Sequence, residues 1–136
     1  NDTVATDEID FGDNDYLSAI VSAIVQADLL VLLSDIDGLY TDDPNINPEA
    51  QLLSYVEHIT DDMLGMAKGP ATDIGTGGMT SKVEAAGIAN DAGADMVIIN
   101  GSDMENINRL FAGEQIGTLF KEHRTRHFHL KNYLDR

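Results

Sequence analysis

The chain contains no cysteine, so it can build neither a disulfide framework nor a thiolate metal site. No apolar run approaches the ~20 residues that a membrane-spanning helix needs. Asn1-Asp2-Thr3-Val4 carries neither the basic nor the apolar region of a secretory signal. These absences lead to the expectation of a cytoplasmic protein with no membrane partner. Basic residues are scarce as well: eight Lys and Arg stand against 24 Asp and Glu, a net charge of −16. Such a surface repels phosphate backbones, which argues against nucleic acid as a partner and reads as a solubilising surface. Lys68, Lys82 and Arg109 are the only basic residues before position 120, while Lys121, Arg124, Arg126, Lys131 and Arg136 crowd the end.

One of those few lysines closes a glycine-rich stretch, Gly75-Thr76-Gly77-Gly78-Met79-Thr80-Ser81-Lys82. Glycines permit positive φ and close backbone approach, and a helix starting there offers unpaired N–H donors and a positive dipole end. Such a corner suits an anion. Lys82, expected in the first turn, would reach the same anion as the Thr76 to Met79 amides and the Thr80 or Ser81 hydroxyls. Two common phosphate spellings are absent: Lys82 follows serine and precedes Val83, and Thr80 stands where a dinucleotide fingerprint needs glycine.

The remaining pattern is that of a layered α/β protein. Val4, Ile9 and Phe11 suggest a short strand or strand pair over 3–11. Leu17, Ile20, Val21, Ile24 and Val25 fall on one helical face behind an N-cap at Asp13. The apolar runs 28–33 and 95–99 read as strands buried on both faces of a parallel sheet. Between them lie a surface loop around Pro44 and Pro48, a short edge strand over 52–56, and a helix capped by Thr60 and stopped by Gly69-Pro70. The glycine loop then opens a helix with Met79, Val83, Ala86 and Ala89 on one side. Ser102 with Glu105 spells a capping box for a helix closed by Gly113, and 116–120 is a last strand. After Phe120 periodicity is lost, which marks 121–136 as a linker or tail. His127 and His129 there lack neighbouring ligands, and no metal site is expected of the chain's own residues.

Ligands in such sheets bind at the carboxyl ends of strands, where Ser34-Asp35 and Asn100-Gly101-Ser102 stand. Gly12-Asp13-Asn14-Asp15 places two carboxylates and a carboxamide at a helix N-terminus, either as caps or as groups facing a cleft. In this order the segments 12–19 (GDNDYLSA), 34–44 (SDIDGLYTDDP) and 75–82 (GTGGMTSK) resemble the amino-acid kinase family. The resemblance covers Asn1 to about Phe120 and implies a three-layer αβα sandwich with a mostly parallel sheet, here incomplete. The closest resemblance within the family is to the branch that transfers the ATP γ-phosphoryl group, with Mg²⁺, to the side-chain carboxylate of L-glutamate. It implies glutamate contacts at Asp2, Asp13 and Asn14, and an ATP site at Ser34, Asp35, Thr76, Gly77, Gly78, Met79, Thr80, Ser81 and Lys82. Lys82 would neutralise charge on the moving phosphoryl group, and Asp15 would orient lysine ammonium groups. Family members begin with a strand ending in lysine and a glycine loop that would precede Asn1. The expectation is therefore that 1–120 is the carboxyl-terminal, ATP-binding part of a kinase domain, homo-oligomeric when intact. Nucleotide binding without turnover, or another amino-acid or carbamate kinase activity, stays open.

Overall fold

The computed structural model describes residues 14–68 and 77–134. The strand expected over 3–11, the Asp13 cap and the Gly69-Pro70 stop lie outside them. In chain order the elements are α1 (Asn14–Ile24), β1 (Leu29–Ser34), β2 (Tyr55–Val56), α2 (Asp61–Lys68), α3 (Gly77–Ala92), β3 (Asp95–Asn100), α4 (Glu105–Phe111), β4 (Thr118–Phe120) and α5 (Lys131–Leu134). The sheet order is β1-β3-β4-β2. β1 and β3 pair in parallel from Leu29↔Asp95 to Ser34↔Asn100, as do β2 and β4, whereas β3 and β4 are antiparallel.

Two of the three pairings are parallel, as expected, and the one antiparallel pairing that makes the sheet mixed has a local cause. The short α4 and the turn at Gly113 (φ +87°) return the chain to the carboxyl end of β3 rather than to its start. β4 must then run back along β3. Its entry needs glycine, because a Cβ at Gly117 (φ +68°) would lie 1.9 Å from the Ile98 carbonyl oxygen.

Alternation along the strands places Leu30, Leu32, Met96, Ile98, Thr118, Phe120 and Val56 on one sheet face. α3 packs there on β3, flanked by α1 and α2. Val83, Ala85, Ala86 and Ala89 are wholly buried, and the small alanines let the helix lie close to its neighbours. α4 packs on β3 as well, and Val97 and Ile99 on the second face are buried, so β3 is covered on both sides. Thr118 ties the layers to the loops: its hydroxyl donates to the Leu53 carbonyl at 2.6 Å and accepts from the Leu39 N–H at 2.9 Å.

Three local expectations change. On α1 it is Ala19, Ile20 and Ser22 that are buried, while Val21, Ile24 and Val25 are exposed, because α1 meets α3 and β1 along only part of the apolar stripe. β1 ends the sheet among the described residues, and its Leu33 is 49% exposed rather than buried. The Ser102 capping box does not form: Met104 is the N-cap without a side-chain bond, and the Asp103 carboxylate accepts the Glu105 N–H at 3.0 Å. The nearer carboxylate wins that donor. Thr60 does cap α2, its hydroxyl accepting the Met63 N–H at 3.3 Å.

Beyond β4 the chain runs back along the end of α3. The Asp95 carboxylate accepts from the Glu122 N–H at 2.8 Å and pairs with Lys121 at 3.2 Å. The His123 and Thr125 N–H groups donate to the Asn90 and Asp91 carbonyls, both at 3.2 Å. Leu130 and Tyr133 then pack against the main core.

Candidate active site

Short connections set where the functional groups meet. α1 packs on the strand that follows it, and α3 packs on β3 after only Gly93-Ala94. Each helix therefore runs opposite to its strand, and its N-terminal turn lies at that strand's carboxyl end. Since β1 and β3 are parallel, the starts of α1 and α3 and the ends of β1 and β3 all gather at one edge of the sheet.

At this edge Asp15, in the first turn of α1, faces α3. Its Oδ2 accepts from the Lys82 Nζ at 2.9 Å and from the Ser81 hydroxyl at 2.9 Å. The Lys82 and Asp15 side chains are only 15% and 18% exposed, so the pair is shielded from bulk solvent while still reachable. Lys82 sits in the second turn rather than the first, because α3 already begins at Gly77. The paired glycines thus form the helix start itself, and the backbone N–H groups of its first turn have no partner within the helix. Met79 packs against the core and Thr80 is half-buried.

The strand ends add a second polar group. Ser34 and Asn100 are register partners on the face that carries α1 and α3. The Ser34 hydroxyl donates to Asp35 Oδ1 at 3.2 Å and accepts the Ile36 N–H at 3.4 Å. The Gly101 N–H continues the ladder to the Ser34 carbonyl at 2.7 Å. A Cβ at Gly101 would stand 2.8 Å from that of Leu33, so this crossing also requires glycine. Asp37 fastens the turn after β1 to β3, accepting from Asn100 Nδ2 at 3.0 Å and from the Tyr40 hydroxyl at 3.3 Å. Tyr40 has its pKa raised, first by partial burial and then by the neighbouring Asp37 charge.

Of the residues singled out from sequence, Asp15, Ser81 and Lys82 are brought into direct contact, and Ser34 and Asp35 stand at the same sheet edge. Asn14 is exposed at the start of α1, beside an apolar groove of about 420 Å³ that includes Leu17, Val21, Val25 and Leu29. Asp2, Asp13 and Thr76 lie outside the described residues, and Gly77 and Gly78 are described by their backbone alone. The Asp37–Asn100 link was not anticipated, although Asn100 ends an apolar strand and could have been paired with the Ser34 end on that ground. Among the described residues no three His, Asp or Glu side chains converge as a metal site.

The chain is 52% identical over 120 residues to a glutamate 5-kinase from Clostridium tetani, a match covering 88% of this chain and 45% of that protein. It is 55% identical over 120 residues to a glutamate 5-kinase from Carboxydothermus hydrogenoformans, covering 88% and 32%. The chain thus spans less than half the length of these relatives. A solved structure of an isopentenyl phosphate kinase from T. acidophilum superimposes with a TM-score of 0.58 at 25% identity, over 79% of this chain and 38% of that one. The mixed sheet and its flanking helices are thus those of a known kinase fold. The model of the Amino acid kinase family matches residues 1–100, a span that holds all three sequence motifs and both helices that carry Asp15 and Lys82, and the chain belongs to that family.

Proposed function

We propose that this chain is the ATP-binding part of a kinase that phosphorylates the side-chain carboxylate of L-glutamate to glutamyl 5-phosphate, the first step of proline synthesis. The observation that carries the reading is the Asp15–Ser81–Lys82 contact at the glycine-opened start of α3, in a chain half identical to two glutamate 5-kinases.

The chemistry follows from the groups present. A carboxylate oxygen of glutamate attacks the γ-phosphorus, the bond from that phosphorus to the β,γ-bridging oxygen breaks, and ADP departs with the electron pair. No base is needed, because the attacking carboxylate is already ionised at neutral pH. Asp15 is therefore assigned to holding the Lys82 ammonium in place, and Lys82 to countering charge on the transferred group. The Gly77 and Gly78 backbone N–H groups offer donors for phosphate oxygens, and the Ser81 hydroxyl would join them by turning its proton from Asp15 to the nucleotide. Mg²⁺ bound to the nucleotide would supply positive charge that offsets the charge on the transferred group. Asp2, Asp13 and Asn14 are assigned to glutamate, and Ser34, Asp35, Thr76, Met79 and Thr80 to ATP. The assignment further holds that 1–120 is the carboxyl-terminal, ATP-binding part of the kinase domain, that 121–136 is a linker or tail, and that the enzyme is cytoplasmic. The intact enzyme is assigned as a homo-oligomer, and the half-exposed β1 edge would lead this chain to associate when isolated.

The test is glutamate-dependent ADP formation with MgATP, run against acetylglutamate, aspartate and carbamate as competing acceptors. Glutamate is expected to be the preferred acceptor. Lys82→Ala in the full-length protein is expected to cut turnover about 10³-fold, the scale of losing one charge-stabilising donor. Turnover within a few fold of the parent would remove Lys82 from its role. Saturable MgADP binding with no glutamate-dependent turnover would favour a nucleotide-binding module instead.

A further inference from the structure

One residue of the carboxyl-terminal segment touches both helices that build the site. The Tyr133 carbonyl accepts a hydrogen bond from the Tyr16 hydroxyl, on the residue next to Asp15 in α1. The Tyr133 hydroxyl donates to Asp91 Oδ2 at 3.1 Å, in the last turns of α3. The segment carrying it is itself held down: the other Asp91 oxygen pairs with His123 Nε2 at 3.2 Å, and the Phe128 ring stacks on Tyr133 at 5.6 Å and 24°. Tyr133 is thus a strap from α1 to α3, anchored through residues that lie beyond the span of the family match.

We propose that Tyr133, acting with Tyr16, is a positioning residue for the Asp15–Lys82 pair; the proposal rests on the kinase reading above. α1 packs on α3 and β1 through Ala19 and Ile20, both downstream of Asp15, so the Tyr16 bond adds a restraint at its first turn that this packing does not itself supply. Asp15 can hold Lys82 only if the first turn of α1 keeps its place against α3. The Tyr16 bond acts on that turn. The Asp91 bond fixes the strap to the far end of the helix that presents Lys82. Reaction geometry is steep in distance, so a small drift of α1 would misplace the ammonium without removing it.

The test uses Tyr16→Phe and Tyr133→Phe in the full-length protein, each deleting one hydroxyl and one end of the strap. Two readouts are taken: kcat and KM for MgATP, and the rate at which an amine-acylating reagent labels Lys82, followed by peptide mass spectrometry. Either variant is expected to lower kcat about threefold to tenfold with KM unchanged, and to speed Lys82 labelling severalfold as its bond to Asp15 loosens. The double variant should do little more than one alone, since both cut the same strap. Parent values of kcat and labelling in both folded variants, or a lowered Tm alone, would overturn the proposal. Absence of phosphoryl transfer in the parent would instead remove the kinase reading, and the labelling rates would still decide the strap.

Discussion

β1 and β3 are parallel partners of equal length and nearly equal apolarity, yet they occupy different environments. In β3, Met96, Val97, Ile98 and Ile99 are all buried, whereas in β1 only Leu32 and Ser34 are, and Leu33 is 49% exposed. The same contrast extends to the helices packed on them. α3 is enclosed by α1, α2 and β3, while α1 leaves a stripe of valine and isoleucine in solvent. A run of apolar residues therefore specifies a strand, and the number of neighbours it acquires decides how much that strand contributes to stability. The site is assembled across this divide, with Lys82 on the enclosed unit and Asp15 on the outer one.

The largest effect should come from β3. Ile98→Ala is expected to cost about 3–4 kcal/mol from lost burial and the cavity left behind, while Leu33→Ala on β1 should cost about 1 kcal/mol or less. Urea denaturation of both variants measures the gap, and equal losses would break the comparison. Thr118→Val comes next. It keeps the volume and strands the Leu39 N–H and Leu53 carbonyl, so a loss of about 2 kcal/mol in the same assay is expected. The smallest effect lies at the solvent-facing start of β3, where the Asp95 hydrogen bond, and then its charge, raises the pKa of Lys121. A raised folded-state value contributes stability that is fully present below the usual lysine pKa and is lost as pH climbs through the folded value. Lys121→Met should therefore give a small loss at neutral pH, where the pair contributes in full, and flatten the alkaline side so that variant and parent converge there, the loss being slight because the pair is exposed. A difference at neutral pH as large as that for Thr118→Val would show that the pair is not the exposed contact its geometry describes.

The enclosed unit was the more legible of the two. Spacing puts Met79, Val83, Ala86 and Ala89 on one side of α3; the last three are wholly buried, and Met79 is partly buried against the core. On α1 the same periodic argument picked a stripe of which only part meets a neighbour, because periodicity reports that a face is apolar and not what covers it. The Ser102 box failed for a nearer reason: Asp103 lies closer to the freed amide of Glu105. The polar fasteners were less legible still. Asp37–Asn100 and Tyr133–Asp91 join residues 63 and 42 positions apart, and no local pattern announces such pairs.

By itself the sequence determined the alternation of helices and strands, the glycine-opened start of α3, and the three motifs that carry family membership. All of these reside in local chemistry: spacing of apolar side chains, backbone freedom at glycine, and short runs of specific residues. The tertiary structure alone decided that β4 runs against β3, that β1 stands at the edge of the described sheet, and that the aperiodic tail returns to lay Tyr133 between α1 and α3. It also set the distance from Asp15 to Lys82, since 67 positions of chain separate them and only the packing of α1 on α3 closes that gap to a hydrogen bond.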